Sequence, residues 1–255
     1  MSPGRLLLLA LGTLGAGLVS SITGGTSLMT VPLLLLAGVE PQLAIGTNMI
    51  VVAALSAGSA ARFQMAKAVP RDPTLILALA AVPGSLLGAL AAAMLDERTL
   101  RLIISTALLA LATLLTIHPT FGAARAKTGP RLRILGYFVL SLWAVYGGVF
   151  SGGYATLLTF GVVFFFGCTL PEAIAASKAI NFLGSAAASI VFVAHGLVRW
   201  DLAVCMGIAA ALGGWIGAKL ALRSQPAQIR RLFALLLAAI GAKVGYDVCR
   251  PSRSS

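Results

Sequence analysis

Two stretches of this chain carry no charged residue at all: Leu6 to Val39, 34 residues, and Ile134 to Pro171, 38 residues. An apolar helix of about 20 residues crosses the hydrocarbon core of a bilayer. Each run is therefore too long for one crossing and slightly short for two full ones, at about 1.5 Å per residue. Each is also interrupted by glycines, Gly24-Gly25 and Gly152-Gly153. The pattern predicts two short or broken helices meeting at a Gly-rich break. The rest of the chain agrees, because 59% of the 255 residues are hydrophobic and 10% charged, against roughly a quarter charged in soluble domains. No polar run is long enough to form a soluble domain.

The two runs belong to a duplication. Residues 24–101 recur, without a gap, 129 positions later. Gly24, Gly38, Ala44-Ile45, Ser56-Ala57, Phe63, Val69, Asp72, Gly84, Gly88-Ala89 and Arg101 meet Gly153, Gly167, Ala173-Ile174, Ser185-Ala186, Phe192, Val198, Asp201, Gly213, Gly217-Ala218 and Arg230. Matched apolar residues mean little in so apolar a chain; matched Gly, Asp, Phe and Arg at one offset mean more. A unit this long, seen twice, is not a solenoid repeat. It is the signature of a transporter core. Residues 1–22 could pass for a secretory signal, but they occupy the place of 134–151 and read as a retained membrane segment.

Three ordinary spans follow each broken pair, at about 42–63, 73–95 and 99–117, then 172–195, 201–221 and 229–248. The expected fold is an all-α polytopic membrane protein of about 8–10 helical segments: a first repeat at 1–117, a basic connector at 118–133 and a second repeat at 134–255. Each half crosses an odd number of times whether its opening pair spans or re-enters, so the second half is inverted. One set of loops carries ten basic residues (Arg62, Lys67, Arg71, Arg125, Lys127, Arg131, Arg133, Arg223, Arg230, Arg231). The opposite set carries six (Arg5, Arg98, Arg101, Arg199, Arg250, Arg253). The excess marks the cytoplasmic side and places both termini outside. The same bias accounts for the net charge of +12 without a nucleic-acid partner.

The breaks are where chemistry is expected. Helix N-termini leave N–H groups free and carry partial positive charge, and glycine lets a ligand approach them. Behind Gly24 and Gly25 come Thr26, Ser27 and Thr30. Behind Gly152 and Gly153 come Tyr154, Thr156 and Thr159, with Ser27 and Thr30 matching Thr156 and Thr159 in the repeat. Two such ends facing each other would cradle an anion. The next span of each half adds polar residues: Thr47, Asn48, Ser56 and Ser59 in the first, and Ser177, Asn181, Ser185 and Ser189, at i, i+4 spacing, in the second. Lys178 breaks that second span, opposite Met49 in the repeat. An intramembrane cation usually faces the interior, so Lys178 is expected either in the anion site or snorkelling to the interface.

Other chemistry finds little support. Cys168, Cys205 and Cys249 lack metal or redox spacing, and no metal or cofactor is expected. Glu172 and His195 have no spacing that supports proton coupling, so coupling to a proton or sodium ion stays open, as does the oligomeric state. A membrane-embedded phosphatase-like enzyme would need converging carboxylates, Arg or a metal, which the spans lack. An ATP-driven pump would need a phosphate-binding G-x-x-x-x-G-K-[ST] loop. An anion channel is the nearer alternative to a secondary transporter.

The segments GGTSLMTVPLLLLAGVEPQLAIGTNMI (24–50) and GVFSGGYATLLTFGVVFFFGCTLPEAIAASKAIN (148–181) resemble the sulfite exporter TauE/SafE family, also called toluene sulfonate uptake permeases. In that pattern each Gly-rich break is followed by an apolar run, a short turn and A-(I/V)-(G/A)-T-(S/N). Here these are Ala44-Ile45-Gly46-Thr47-Asn48 and Ala173-Ile174-Ala175-Ala176-Ser177, with Ala176 departing from Thr. The resemblance covers nearly the whole chain. It implies a secondary transporter in a bacterial inner membrane, working by alternating access on sulfite, thiosulfate or an organosulfonate such as sulfoacetate.

Overall fold

The computed structural model describes residues 3–23, 27–95, 99 and 127–223. These form eight helices: α1 (Pro3–Thr23), α2 (Ser27–Leu36), α3 (Pro41–Met65), α4 (Arg71–Met94), α5 (Pro130–Val149), α6 (Tyr154–Phe166), α7 (Leu170–Ala194) and α8 (Trp200–Arg223). No strand occurs among the described residues. Six of the helices are long and apolar enough to cross a membrane; α2 and α6 are not. The expected spans at 99–117 and 229–248, and most of the connector, lie outside the described residues, as do Gly24, Gly25 and Thr26.

The repeat extends to element boundaries. Adding 129 to the limits of α3 and α4 gives the limits of α7 and α8, residue for residue. The glycine pair Gly38 and Gly167 ends α2 and α6 with φ of 82° and 67°, a left-handed turn that favours glycine. That backbone requirement explains why these two positions match.

The opening pair of each half is an antiparallel hairpin. In the second half, Gly136 lies against Phe165 and Phe166, Gly161 against Leu140, and Gly147 against the Tyr154 ring. In the first, Gly12 meets Leu33. With 13 residues, α6 is about 20 Å long, so its N-terminus stops within the protein. The tip between α5 and α6, Phe150 to Gly153, is buried. α5 begins at Pro130, four residues before the uncharged run, and Arg133 near its start pairs with Asp72 of α4.

The halves are interlocked. α3 and α7 cross at the centre and run antiparallel: Gly46 abuts Phe192, Phe63 clusters with Ile174 and Ala175, and Ser56 bonds Asn181. The two end clusters correspond. Ile45, Ala89, Ala92, Phe192 and Val198 meet at one end, while their repeat partners Ile174, Ala218, Ala221, Phe63 and Val69 meet at the other. Each fourth-position helix packs on the hairpin of the opposite half, α4 on α5 and α8 on α1. Glycine makes those crossings close. A Cβ on Gly88 would strike the Val145 carbonyl, and one on Gly217 the Leu18 carbonyl. Lipid is as apolar as these side chains, so close backbone packing, rather than burial of apolar area, is what holds such helices together. The outer faces of α1, α4, α5 and α8 expose Leu7, Leu8, Leu75, Leu79, Phe138, Leu142, Val204 and Ile208, as a lipid-facing surface requires.

The hairpins do not share the offset of the long helices. Gly84 meets Ser141 and Ala144, and its partner Gly213 meets Leu14 and Gly17. The hairpin residues that meet these glycines therefore correspond at a spacing of 127 rather than 129.

Candidate functional site

The second break, and the end of α1 that precedes the first, lie beside the long helix of the opposite half. Asn48, on α3, donates from Nδ2 to Ser151 Oγ (3.3 Å), at the tip of the second hairpin. Its Oδ1 accepts from Thr30 Oγ1 on α2. Lys178, on α7, has no exposed surface, and its Nζ donates to Ser20 Oγ (2.9 Å), near the end of α1. Next to it, Ser177 Oγ accepts from Thr159 Oγ1 on α6 (3.0 Å). Thr30 to Asn48 and Thr159 to Ser177 are the same bond in the two halves, at a constant offset of 129. Each half therefore braces its short helix on its long one through one hydroxyl, with one polar group of the other half's hairpin alongside.

Burial removes the snorkelling alternative for Lys178. A lysine reaching the interface would keep its ammonium exposed; this one ends inside the protein on a serine hydroxyl. It forms no ion pair among the described residues, and it is the one charged residue buried among them. The described carboxylates lie at the periphery. Asp72 joins Arg133 and Tyr137 (Tyr137 Oη to Asp72 Oδ1, 2.6 Å), Asp201 pairs with Arg199 (2.7 Å), and Glu172 closes a capping box with Thr169 at the start of α7. No group of three or more His, Cys, Asp or Glu side chains suited to a metal occurs among the described residues.

The start of α6 has open donors. Gly153, with φ of 78°, turns the chain into the helix. Tyr154 N–H bonds the Ser151 carbonyl (3.2 Å), and the regular ladder begins with Leu157 N–H to Gly153. Thr156 Oγ1 is buried without a partner, and no side chain caps the helix. A buried unpaired hydroxyl beside uncapped N–H groups costs free energy, which an anionic ligand would offset.

Other expected residues go elsewhere. Thr47 accepts a bond from Arg199 N–H (2.9 Å) and ties α3 to the start of α8. Tyr154 lies in the apolar core between α4, α5, α6 and α7, its Oη buried without a partner. Asn181 spans the central crossing, donating to Ser56 (3.1 Å) and accepting from Ser185 (3.3 Å). The Gly152 carbonyl accepts from Tyr146 Oη. Gly24, Gly25 and Thr26 lie outside the described residues, and of Ser27 only its place at the start of α2 is described. Sequence reasoning missed Ser20 and Ser151. The available signal was their position ahead of a glycine pair, Ser151 directly before Gly152 and Ser20 four residues before Gly24.

With this geometry in place, comparison with known proteins is decisive. The model of the sulfite exporter TauE/SafE family matches residues 8–244. The chain belongs to the sulfite exporter TauE/SafE family. Family relatives include a probable membrane transporter protein, ORF9, of Sinorhizobium sp, 27% identical over 93% of this chain and 91% of the relative. A probable membrane transporter protein of Haemophilus influenzae is 26% identical over 91% of each chain. YunE of Bacillus subtilis, with the same description, is 26% identical over 94% of this chain and 97% of the relative. No solved structure matches the chain. As a TauE/SafE member with six apolar spans among its described residues, it is a multi-pass membrane transporter rather than an enzyme.

Proposed function

We propose that this TauE/SafE member is a secondary transporter of a small sulfur-containing anion (sulfite, thiosulfate or an organosulfonate) across a bacterial inner membrane. The observation that carries the reading is Lys178, a fully buried lysine whose amino group is held by a single hydroxyl. A buried charge without a counter-ion is costly and marks a ligand or ion path. The anion would lie between the breaks, reached by Lys178, by Thr156 and the uncapped start of α6, and by the Asn48 and Ser177 groups of α3 and α7. Gly24, Gly25, Thr26 and Ser27 would complete the donor set at the first break.

The mechanism we infer is alternating access between inverted halves. Antiparallel α3 and α7, the reciprocal packing of α4 and α8, and the corresponding end clusters support a pseudo-twofold axis through the centre. Under it, the ends of α3 and α8 and the starts of α4 and α5 share one face. That face carries Arg62, Lys67, Arg71, Arg133 and Arg223 and would be cytoplasmic, leaving the termini outside.

Uptake into proteoliposomes tests this reading. Radiolabelled sulfite, thiosulfate and sulfoacetate are offered with and without a pH or sodium gradient. Saturable uptake accelerated by unlabelled substrate inside is expected of a carrier. Uptake that never saturates indicates a channel, and no uptake of any sulfur anion removes the proposal.

A further inference from the structure

We propose that the end of α8, together with Arg62 of α3, binds an anionic phospholipid. Arg62, Lys219 and Arg223 would hold the phosphodiester headgroup, with the Trp215 indole at the level where headgroup meets acyl chain. The inference needs only that the chain spans a membrane, and it is independent of what the chain carries across.

The site is built on one stripe of α8. Val204, Ile208 and Leu212 recur every four residues, and Trp215, Lys219 and Arg223 continue the same side of the helix. All six are exposed. From Leu212 to Arg223, about 16 Å along the axis, the stripe passes from aliphatic to indole to cationic. One leaflet, with about 15 Å of hydrocarbon, changes in the same order from acyl chain to interface to headgroup.

The third cation comes from α3. The two helices cross closely at this level: a Cβ on Gly58 would strike the Ala211 carbonyl, and one on Gly214 the Leu55 carbonyl. The crossing sets the Arg62 guanidinium over the Trp215 ring, 6.0 Å from its centroid, at the range of a cation–π contact. None of the three cations is in an ion pair among the described residues, where Arg133 pairs with Asp72 and Arg199 with Asp201. Cations gathered without a carboxylate between them repel one another and attract a shared anion.

The duplication provides the comparison. Where this half has Arg62, Trp215, Lys219 and Arg223, the matching positions hold Val191, Leu86, Leu90 and Met94. The end of α4 is exposed too, at Leu90 and Met94, so a need to face lipid is met there by aliphatic side chains alone. A bias set by membrane insertion calls for Lys and Arg in the flanking loops. It does not call for a cationic row inside the last turns of a helix, with an indole beneath it and an arginine from a second helix on that indole.

The test is quenching of Trp215 by lipid. The full chain with Trp143→Phe and Trp200→Phe keeps Trp215 as its one tryptophan. It is reconstituted into vesicles of phosphatidylcholine and phosphatidylglycerol, with brominated acyl chains on one lipid or the other at equal mole fraction. We expect quenching by brominated phosphatidylglycerol to correspond to an enrichment at Trp215 of at least about threefold. That threshold is conservative, because one basic residue near a membrane surface favours anionic lipid by about fivefold. Equal quenching by both lipids overturns the proposal. Quenching by neither also overturns it, since protein would then cover this face. Moving the reporter to the matching position, with Trp215→Phe and Leu86→Trp, should abolish the preference; a preference that persists there belongs to the net-positive chain as a whole and overturns the site.

Charge variants assign the headgroup contact. Arg62→Gln, Lys219→Gln and Arg223→Gln together should bring the enrichment to about one, and Lys219→Arg should preserve it. A triple variant that melts as the parent does and still enriches phosphatidylglycerol overturns the assignment. If the triple variant does not insert, the single variants decide, each expected to lower the enrichment and unchanged enrichment in all three counting against the site. Loss of the enrichment on adding inorganic phosphate would make this a site for soluble phosphate and overturn the lipid reading.

Discussion

Thr156 and Lys178 allow function to be separated from stability at single residues. Thr156 Oγ1 is buried with no hydrogen-bond partner. Replacing it with valine keeps the shape and removes an unsatisfied group, which is neutral or slightly stabilising. Thr156→Val should therefore leave the melting temperature unchanged or raised. Its apparent substrate affinity should fall about tenfold or more, as expected for a lost hydrogen bond to a charged ligand. Equal affinity in uptake assays would detach Thr156 from the site. Lys178→Met should reduce uptake by at least about tenfold at limiting substrate, since it removes the one basic side chain buried among the described residues. Lys178 was legible as an exception in the sequence, the one lysine or arginine in the span 172–195 and unmatched in the repeat. Its environment was not, because Ser20 lies 158 residues away and no local pattern couples them. Thr47 shows the opposite case. It sits beside Asn48 in the motif, yet its hydroxyl is taken by Arg199 N–H, a partner only the fold supplies.

At the scale of helices, two matched backbone sites make further tests. α3 and α7 end alike: Ala68 N–H bonds the Phe63 carbonyl (3.0 Å) and Leu197 N–H bonds the Phe192 carbonyl (2.9 Å). The turn needs a left-handed residue, Gly196 with φ of 68° after α7 but Lys67 with φ of 54° after α3. A side chain in that region costs about 1–2 kcal/mol. Lys67→Gly should therefore raise thermal stability slightly, by about 0.5–1 kcal/mol after the extra chain entropy of glycine is deducted. The close crossings predict the reverse. Gly88→Ala and Gly217→Ala each push a methyl group onto a facing carbonyl and should lower stability by about 1–3 kcal/mol, seen as earlier melting in detergent. Long helices were the most readable elements. The apolar runs and the charges bounding them placed α3, α4, α7 and α8 to within a few residues. The hairpins were less readable, since an uncharged run does not say where its chain reverses; the buried tip at Phe150 to Gly153 comes from packing against Tyr154 and Asn48.

For the molecule as a whole, the proposed inversion has a direct check. Single cysteines placed at Lys67 and Arg223, in a background without the native ones, should be labelled by an impermeant maleimide only from the cytoplasmic face. Cysteines at Glu40 and His195 should be labelled only from the outside. All four positions are exposed, so a mixed pattern would refute the antiparallel arrangement of the halves in the membrane.

The sequence by itself determined that this chain lives in a bilayer and that it is duplicated, and it drew attention to two glycine breaks as the place to look for a site. Those conclusions rest on composition, periodicity and spacing, which are properties of the chain in order. Only the tertiary structure decided which groups meet. It set the second break and the end of α1 against the long helix of the other half, paired Thr30 with Asn48 and Thr159 with Ser177, enclosed Lys178, and gave Thr47 a partner in the Arg199 N–H. Contacts between halves join residues more than a hundred positions apart. Whether a polar group there is satisfied or left open depends on what the opposite helix brings to it, and apolar helices of similar composition give no sequence code for that choice.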